Sequence, residues 1–293
     1  MSIVASFMGL IVLVLRKIRL IPRRVSVFLW IVPFVRMCIP VGLNSPYSLM
    51  TLVARITTRT VPAGSLAEGV DLSFSNTIMA ADSYYPISYK AEGLAKVFEV
   101  AGIVWLVGAL SMIIALAIMY VGTIREIKDS KLLKDNIYLS EKVTGPAVYG
   151  IIRPRIILPV SYAEEDLKYV LQHEKTHIRR LDNLWRILGF IAAAIHWFNP
   201  LSWVFLKLFL SDLELACDEM AVSKFDKEER KDYARTLLAY TQSKSVFVSA
   251  FGGAKVRTRI ENVLSYKKIT AVSAAGFAVL VLVIIYMLLT NAG

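Results

Sequence analysis

Cysteine is scarce in this chain of 293 residues, which contains only Cys38 and Cys217. Cys38 lies in an apolar run and Cys217 in a segment with helical spacing, so we expect both to be reduced and unpaired. A disulfide framework, as in small secreted domains, is therefore excluded. Internal repeats, low-complexity tracts and glycine-rich phosphate loops are also absent, which excludes repeat architectures and P-loop enzymes.

Charged residues are also few, at 19% of the chain, whereas soluble domains contain roughly a quarter. The mean hydropathy of +0.56 is typical of a membrane protein. Four apolar stretches are long enough to span a bilayer or nearly so: residues 3–15, 25–43, 98–124 and 270–289. The first is short, but Arg16 and Lys17 can reach the interface beyond it. It lacks a basic leader and a small-residue cleavage site, so we expect a retained span and not a signal peptide.

Acidic residues are missing from the turn at residues 16–24, which carries five cations. Because positive charges stay on the cytoplasmic side, we expect this turn inside and the N-terminus outside the cell membrane. The transmembrane pair at 1–43 is then followed by an extracellular loop at 44–97 and a third span at 98–124. Residues 125–269 are cytoplasmic, before a fourth span at 270–289. The net charge of +11 follows mainly from this bias and from attraction to the lipid bilayer, so no direct nucleic-acid binding is expected.

Histidine is almost absent, yet two of the three histidines lie in the run His173-Glu174-Lys175-Thr176-His177. On a helix, residues i and i+4 share a face, so both imidazoles can bind one Zn²⁺ ion. Glu174 is then placed beside the ion, where its carboxylate can take a proton from a water molecule. We interpret the third histidine, His196, as an interfacial or core residue.

A hydrolytic zinc site needs a third protein ligand, and Glu214 is the best placed candidate. It lies in a segment whose apolar residues have helical spacing. Asp218 is one turn further on the same face, where it can accept the second ring N–H of a ligating histidine. The alternative is that both acids are solvated helix charges. Cys217 is either a fourth ligand or, as we expect, packs inward.

The histidine run is predicted to lie on one helix at residues 164–186, with acids in its first turn that complement the helix dipole. Asp182 follows the run on this helix. It either braces a ligating histidine or pairs locally with Arg179 or Arg186, and we favour the local pair.

Short strands are predicted before this helix, at residues 136–140 and 148–159, where Ile, Val and Tyr are interrupted by Gly and Pro. Zinc proteases often hold substrate as an added strand on a sheet edge, and residues 149–157 are the candidate edge. Pro154 fits an edge strand and not a central one. The alternative is a sheet that only covers the helices.

A fifth apolar stretch, at residues 187–210, separates the histidines from Glu214. A single crossing would place the three ligands on opposite sides of the membrane, so the stretch must enter and return. Asn199-Pro200 supplies the break, which leaves arms of about ten residues, too short to span. We predict a helical hairpin that dips into the cytoplasmic leaflet, with Trp197 and Trp203 near its tip. A buried hairpin of a cytoplasmic domain is the alternative.

Together these motifs resemble the membrane antirepressor metallopeptidases, the BlaR/MecR type of beta-lactam signal transducer. The resemblance covers most of the chain. It is most specific in the last three segments named below, which follow one another in the order given. The segments that carry it are Arg23-Arg24 with Trp30, residues 36–40, PAVYGIIRPRIILP at 146–159, HEKTHIRRLDNLWR at 173–186, HWFNPLSW at 196–203 and ELACDE at 214–219.

This resemblance implies a gluzincin site, with zinc on His173, His177 and Glu214, with Glu174 as base and with Asp218 in support. It implies a mainly α, polytopic membrane protein with four transmembrane helices and a cytoplasmic α+β zinc protease domain. Family members are often dimeric. They act after an extracellular signal and inactivate a cytoplasmic DNA-binding repressor, which is the expected substrate. Some cleave themselves before the last span, here within residues 224–266.

The sequence departs from the drug-sensing members of this family, in which a penicillin-binding sensor domain follows the last span. Here the sequence given ends at Gly293, and the segments predicted to be extracellular contain no S-x-x-K acylation motif. We therefore expect a member without the C-terminal sensor. Sensing would then fall to the loop at 44–97 or to a separate sensor protein.

Three functions are consistent with these residues. The first is a zinc endopeptidase in transmembrane signalling. The second is a constitutive quality-control protease like the CAAX/HtpX group, against which the ELACDE and HWFNP runs argue. The third is a transducer whose metal site only stabilises the fold. Cleavage of a co-expressed repressor, or broad digestion of unfolded membrane proteins, distinguishes the three.

Overall fold

The described part of the chain is mainly helical, as expected, with one four-stranded sheet and one pair of two-residue strands. The computed structural model describes residues 2–18, 21–38, 44–48, 51, 92–162, 164–240, 254–267 and 270–292. Most of the predicted extracellular loop at 44–97 lies outside the described residues. So do residues 241–253, within the segment expected to carry any self-cleavage site.

The N-terminal part of the chain forms three helices, α1 (Ser2–Arg16), α2 (Arg23–Leu29) and α3 (Ile31–Cys38). The described part of the predicted second span, up to Cys38, therefore consists of two short helices joined at Trp30. A two-residue strand, β1 (Asn44–Ser45), follows and pairs in parallel with β6 (Asn291–Ala292) at the other end of the described chain.

Two of the described helices are long and apolar enough to cross a membrane. They are α4 (Glu92–Glu126), of 35 residues, and α10 (Ala271–Leu289), of 19 residues. Their apolar side chains are largely exposed, as expected of surfaces that face lipid. α1 is apolar but shorter, at 15 residues. These helices agree with a membrane protein and establish two candidate spans, fewer than the four that we predicted.

The sheet contains β2 (Lys131–Lys134), β3 (Ile137–Ser140), β4 (Ala147–Tyr149) and β5 (Arg155–Pro159), in the order β2-β3-β5-β4. β5 lies between a parallel β3 and an antiparallel β4, and its Ile156, Ile157 and Leu158 are buried. A continuous apolar run buried on both faces is typical of a central strand. The predicted edge at 149–157 is therefore wrong over most of its length, because only its first residue belongs to the edge strand β4.

Five more α-helices lie between the sheet and α10: α5 (Leu167–Arg180), α6 (Asp182–Ile195), α7 (Pro200–Ala221), α8 (Lys227–Tyr240) and α9 (Val256–Leu264). Short 3-10 helices at Glu164–Asp166 and Val222–Lys224 precede α5 and follow α7. The predicted single helix at 164–186 is divided at Leu181, whose φ of 56° is left-handed and ends α5. The chain turns there, so Asp182 begins a new helix and points back at the last turn of α5.

The predicted helical hairpin is formed by α6 and α7, which pack against each other. Asn199 caps α7, since its Oδ1 accepts the Leu201 N–H at 3.0 Å, and Pro200 occupies the first helical position. This is where proline needs no N–H partner. The arms, at 14 and 22 residues, are longer than the ten that we predicted.

The hairpin runs alongside the whole of α1. At its tip, Asn199 Nδ2 donates to the hydroxyls of Ser2 and Ser6, both at 2.8 Å, near the start of α1. At the other end of α1, Arg16 Nε donates to Asp212 Oδ2 on α7 at 2.8 Å. The hairpin therefore extends along α1 from one end to the other, and its depth in the membrane stays a prediction.

The tip also packs on α4. Trp197 Nε1 donates to the Trp105 carbonyl at 3.2 Å, and Trp105 Nε1 donates to the Ile195 carbonyl at 2.8 Å. Gly108 allows this approach, because a Cβ at that position would collide with the Trp197 ring.

Candidate metal centre

The two histidines of the motif and Glu214 come together where α5 packs against α7. His173 Nε2 lies 3.1 Å from His177 Nε2, as the i, i+4 spacing requires. One Glu214 oxygen is 3.8 Å from His173 Nε2, and the other is 3.7 Å from His177 Nε2. The structure thus brings together the three residues that the sequence nominated as ligands.

The second ring nitrogen of His177 has a buried acid as its partner. Nδ1 of His177 donates to Asp182 Oδ2 at 2.6 Å, and Asp182 is 1% exposed. The predicted local pair of Asp182 with Arg179 or Arg186 is therefore wrong. The left-handed turn at Leu181 directs this acid to the histidine, and Arg180 is its neighbour at 3.4 Å.

The second ring nitrogen of His173 reaches an acid through a tyrosine. The Tyr233 hydroxyl lies 2.8 Å from His173 Nδ1 and donates to Asp218 Oδ1 at 2.8 Å. Asp218 itself is 3.4 Å from the same Nδ1. Asp218 lies where the sequence placed it, but a tyrosine of α8 intervenes. Sequence reasoning missed Tyr233 because no local spacing connects it with the motif.

The hydrogen-bond partners of the two Nδ1 atoms determine whether the Nε2 atoms can bind a cation. With both Nδ1 atoms held by other partners, the two Nε2 atoms face each other, and a cation that binds between them uses the lone pairs of the two neutral rings. Tetrahedral zinc, with bonds of about 2.0–2.1 Å, places its donor atoms roughly 3.3 Å apart. The separations of 3.1, 3.7 and 3.8 Å fit a metal ion of this class.

Cys217 is a second candidate for the third donor. His173, His177 and Cys217 have donor atoms within 4.8 Å of one another. The thiol, however, lies 3.6 Å from His173 Nδ1, which Tyr233 also contacts, and 3.5 Å from the His173 carbonyl. Burial raises the pKa of Cys217 to about 11 in the metal-free chain. Glu214 is the better donor by geometry, because its two oxygens lie near the two Nε2 atoms whereas the thiol lies near Nδ1 of His173.

Glu174 lies on α5 beside His173 and is 6% exposed. Burial raises the pKa of its carboxyl above the ordinary value, and the negative charge of Glu214 raises it further, against the opposing effect of His177. A carboxylate with a raised pKa is better suited to accept a proton and to return it at neutral pH.

Two arginines surround Glu214. Arg186 donates to its Oε1, and Arg259 NH1 is 3.4 Å from its Oε2. Burial alone would raise the pKa of Glu214, but the charges of His177, Arg259 and Arg186 outweigh burial and lower it. Glu214 is therefore ionised over the whole physiological range. No motif or spacing singles out Arg259, which in the sequence is one cation among several beside the last predicted span.

α7 is held in place by the basic turn before α2. Asp212 is fully buried and accepts from Arg16 Nε at 2.8 and 2.9 Å and from Trp30 Nε1 at 2.9 Å. Glu219 accepts the backbone N–H groups of Arg23 and Arg24 at 3.1 and 3.4 Å, at the start of α2. These contacts flank Glu214 and Asp218 on the same helix. Part of the turn's positive charge therefore positions the site, besides any attraction to lipid.

Comparison with known proteins agrees with the metal centre described above. The family model described as BlaR1 peptidase M56 matches residues 1–263. Regulatory protein BlaR1 of Bacillus licheniformis is 32% identical over 108 residues, which are 36% of this chain and 18% of that protein. The methicillin resistance mecR1 protein of Staphylococcus aureus (strain Mu50 / ATCC 700699) is 25% identical over 117 residues, 39% of this chain and 20% of that protein.

A third relative, regulatory protein BlaR1 of Staphylococcus aureus, is 26% identical over 143 residues, which are 44% of this chain and 24% of that protein. Each alignment thus covers no more than a quarter of the relative's own length. The family model, in contrast, covers most of this chain. The resemblance to the BlaR/MecR type is confirmed: the chain belongs to the BlaR1 peptidase M56 family, whose members are membrane-associated metallopeptidases and signal transducers.

Proposed function

We propose that this chain is an integral-membrane zinc endopeptidase that acts in transmembrane signalling. Zn²⁺ is held by His173, His177 and Glu214. The observation that carries the proposal is the convergence of two Nε2 atoms and one ionised carboxylate within 3.8 Å, with both Nδ1 atoms occupied by other partners. Such a set of donors leaves a fourth position for water or substrate.

The chain's own residues divide the chemistry between them. A bound zinc ion supplies a Lewis acid that polarises the scissile carbonyl and makes water more acidic. Glu174 accepts a proton from the attacking water and returns it to the leaving amine. Asp182 and Tyr233 orient the two imidazoles, and Asp218 supports Tyr233.

The proposed topology is a multi-pass protein with four transmembrane segments, the N-terminus outside and the zinc site cytoplasmic. The exposed apolar sides of α4 and α10 support two of these spans. For α1, the support is its apolar composition over 15 residues. The distribution of cations between the turn at 16–24 and the loop at 44–97 supports the orientation.

The proposed substrate is a cytoplasmic repressor protein, inactivated after an extracellular signal related to the cell wall or to an antibiotic. The support is membership of a family whose relatives are named regulatory and methicillin resistance proteins. Because the alignments cover at most 24% of those relatives, the inducing signal, a separate sensor protein and a homodimer remain parts of the proposal.

The test compares four chains in the same cells: wild type, Glu174→Gln, His177→Ala and the exposed-surface variant Glu228→Gln. Glu174→Gln should retain zinc and lose cleavage by about 10²–10⁴-fold, because it removes only the base. His177→Ala should lose both, and the exposed-surface variant Glu228→Gln should retain both. If Glu174→Gln cleaved its substrate at the wild-type rate, the assigned base would be wrong.

The identity of the substrate comes from the peptides that disappear in Glu174→Gln. One repressor cleaved after induction supports signalling. Uninduced digestion of many unfolded membrane proteins would support the quality-control alternative. A zinc-loaded protein that cleaves neither would support a transducer whose metal site only stabilises the fold.

A further inference from the structure

Arg259 is the basic residue that the proposed mechanism leaves without a role, although its guanidinium group lies inside the metal centre. It is on α9, and its side chain is only 14% exposed. Nε and NH2 form a bidentate pair with the two Asp218 oxygens, both at 2.8 Å. The same NH2 group lies 3.2 Å from His173 Nε2, and NH1 is 3.4 Å from Glu214 Oε2.

Of these contacts, the one with His173 Nε2 competes directly with metal binding. An imidazole nitrogen has one lone pair, so Nε2 cannot accept a hydrogen bond from Arg259 and ligate a metal ion at the same time. Carboxylate oxygens have spare lone pairs, so Arg186 can stay on Glu214 when an ion binds. Arg259 is thus the group whose contact with the donor set excludes the metal.

The positive charge of Arg259 also opposes metal binding. The guanidinium compensates Glu214 and Asp218 in a buried site, where a positive charge and a divalent cation a few ångströms apart repel strongly. We propose that Arg259 competes with the metal ion for His173 Nε2 and thereby sets the affinity of the site for metal. This inference rests on the proposed function, since it takes the three donors as a metal site.

The competition requires a movement of the arginine. The guanidinium is planar and its N–H directions are fixed, so the whole group must shift relative to His173 to release Nε2. The backbone of α9 is tied to α7 at a second point, where Asn262 Nδ2 donates to the Leu215 carbonyl at 3.1 Å.

The experiment measures the affinity of the purified full-length chain for Zn²⁺, by competition with a chromophoric chelator in detergent. Arg259→Gln removes the charge and keeps a neutral donor for Asp218, so its affinity should exceed that of wild type by at least about tenfold. Arg257→Gln is the matched control, because Arg257 is on the same helix, exposed, and paired with Glu261. It should bind zinc as wild type does.

A purely supporting role for Arg259 predicts the opposite change in zinc affinity. If it only supported Asp218, its loss would weaken zinc binding by about 10–100-fold, as for other outer partners of metal ligands. Equal or weaker affinity in Arg259→Gln would therefore overturn the inference and leave the zinc site standing. If neither wild type nor the variant bound zinc, the proposed function would fall as well.

A second variant covers the case in which Arg259→Gln does not fold. Arg259→Lys keeps a positive charge on Asp218 but cannot form the bidentate pair and reach His173 together. Its zinc affinity should rise, though by less than with glutamine. An affinity equal to or below that of wild type would count against the competition.

Discussion

The hydrogen bond of 2.6 Å between His177 Nδ1 and Asp182 Oδ2 decides which ring nitrogen of His177 faces the metal centre. Asp182→Asn keeps the size of the side chain, removes its charge, and places an NH₂ group beside the remaining oxygen. If that NH₂ group donates to Nδ1, the ring proton moves to Nε2. The proton would then lie where the metal lone pair should be, 3.1 Å from His173 Nε2.

The expected result is a loss of zinc affinity of about 10–100-fold, equivalent to roughly 1.4–2.8 kcal/mol of binding free energy. The upper half of this range is more appropriate, because the bond is short and Asp182 is buried. The assay is chelator competition on the purified chain. Asp232→Asn is the control, since Asp232 pairs with Arg235 on the exposed face of α8 and should leave affinity unchanged.

An Asp182→Asn variant that bound zinc within twofold of wild type would refute this reasoning. It would mean that Asp182 mainly serves Arg180, 3.4 Å away, and that His177 selects its tautomer without help.

Three other changes have distinct expected outcomes. Tyr233→Phe removes the hydroxyl that His173 Nδ1 contacts, so zinc affinity should fall about tenfold, and an unchanged affinity would exclude that role. Glu174→Gln should raise the thermal midpoint of the metal-free chain at pH 7. Burial raises the carboxyl pKa above 4.5, so the gain should disappear below that pH, and a gain that persisted there would contradict the cause. Asp212→Ala leaves the partly buried Arg16 without this acidic partner, so the free energy of unfolding should fall by about 3–5 kcal/mol in chemical denaturation. A loss below about 1 kcal/mol would show that the pair does not anchor α7.

Local periodicity was enough to nominate the donor atoms. The i, i+4 relation places His173 and His177 on one face of α5, and the same relation places Glu214 and Asp218 on one face of α7. The break at Asn199–Pro200 was also predictable, because proline at the first helical position requires a new helix.

The groups around those donors were not predictable from spacing. Asp182 reaches His177 only because Leu181 adopts a left-handed conformation. This conformation is usually found at glycine or asparagine, so a leucine at this position does not predict it. Tyr233 and Arg259 enter from α8 and α9, which lie far from the motif in sequence and reach it only through tertiary packing.

The sheet shows the same limit. Its apolar residues predicted strands, but which strand is central depends on the pairing of β5 with both β3 and β4. Pro154 was interpreted as an edge marker, yet it lies in the turn before β5, where a missing N–H costs no ladder bond. The hairpin was predicted too short because its second arm continues through the site as α7.

The central claim is one zinc ion held by His173, His177 and Glu214, and X-ray absorption at the zinc edge of the purified chain tests it most directly. The account predicts a shell of nitrogen and oxygen at about 2.0–2.1 Å, unchanged in Cys217→Ser and lost in Glu214→Ala. A sulfur scatterer at about 2.3 Å that disappears in Cys217→Ser, with zinc retained in Glu214→Ala, would contradict it.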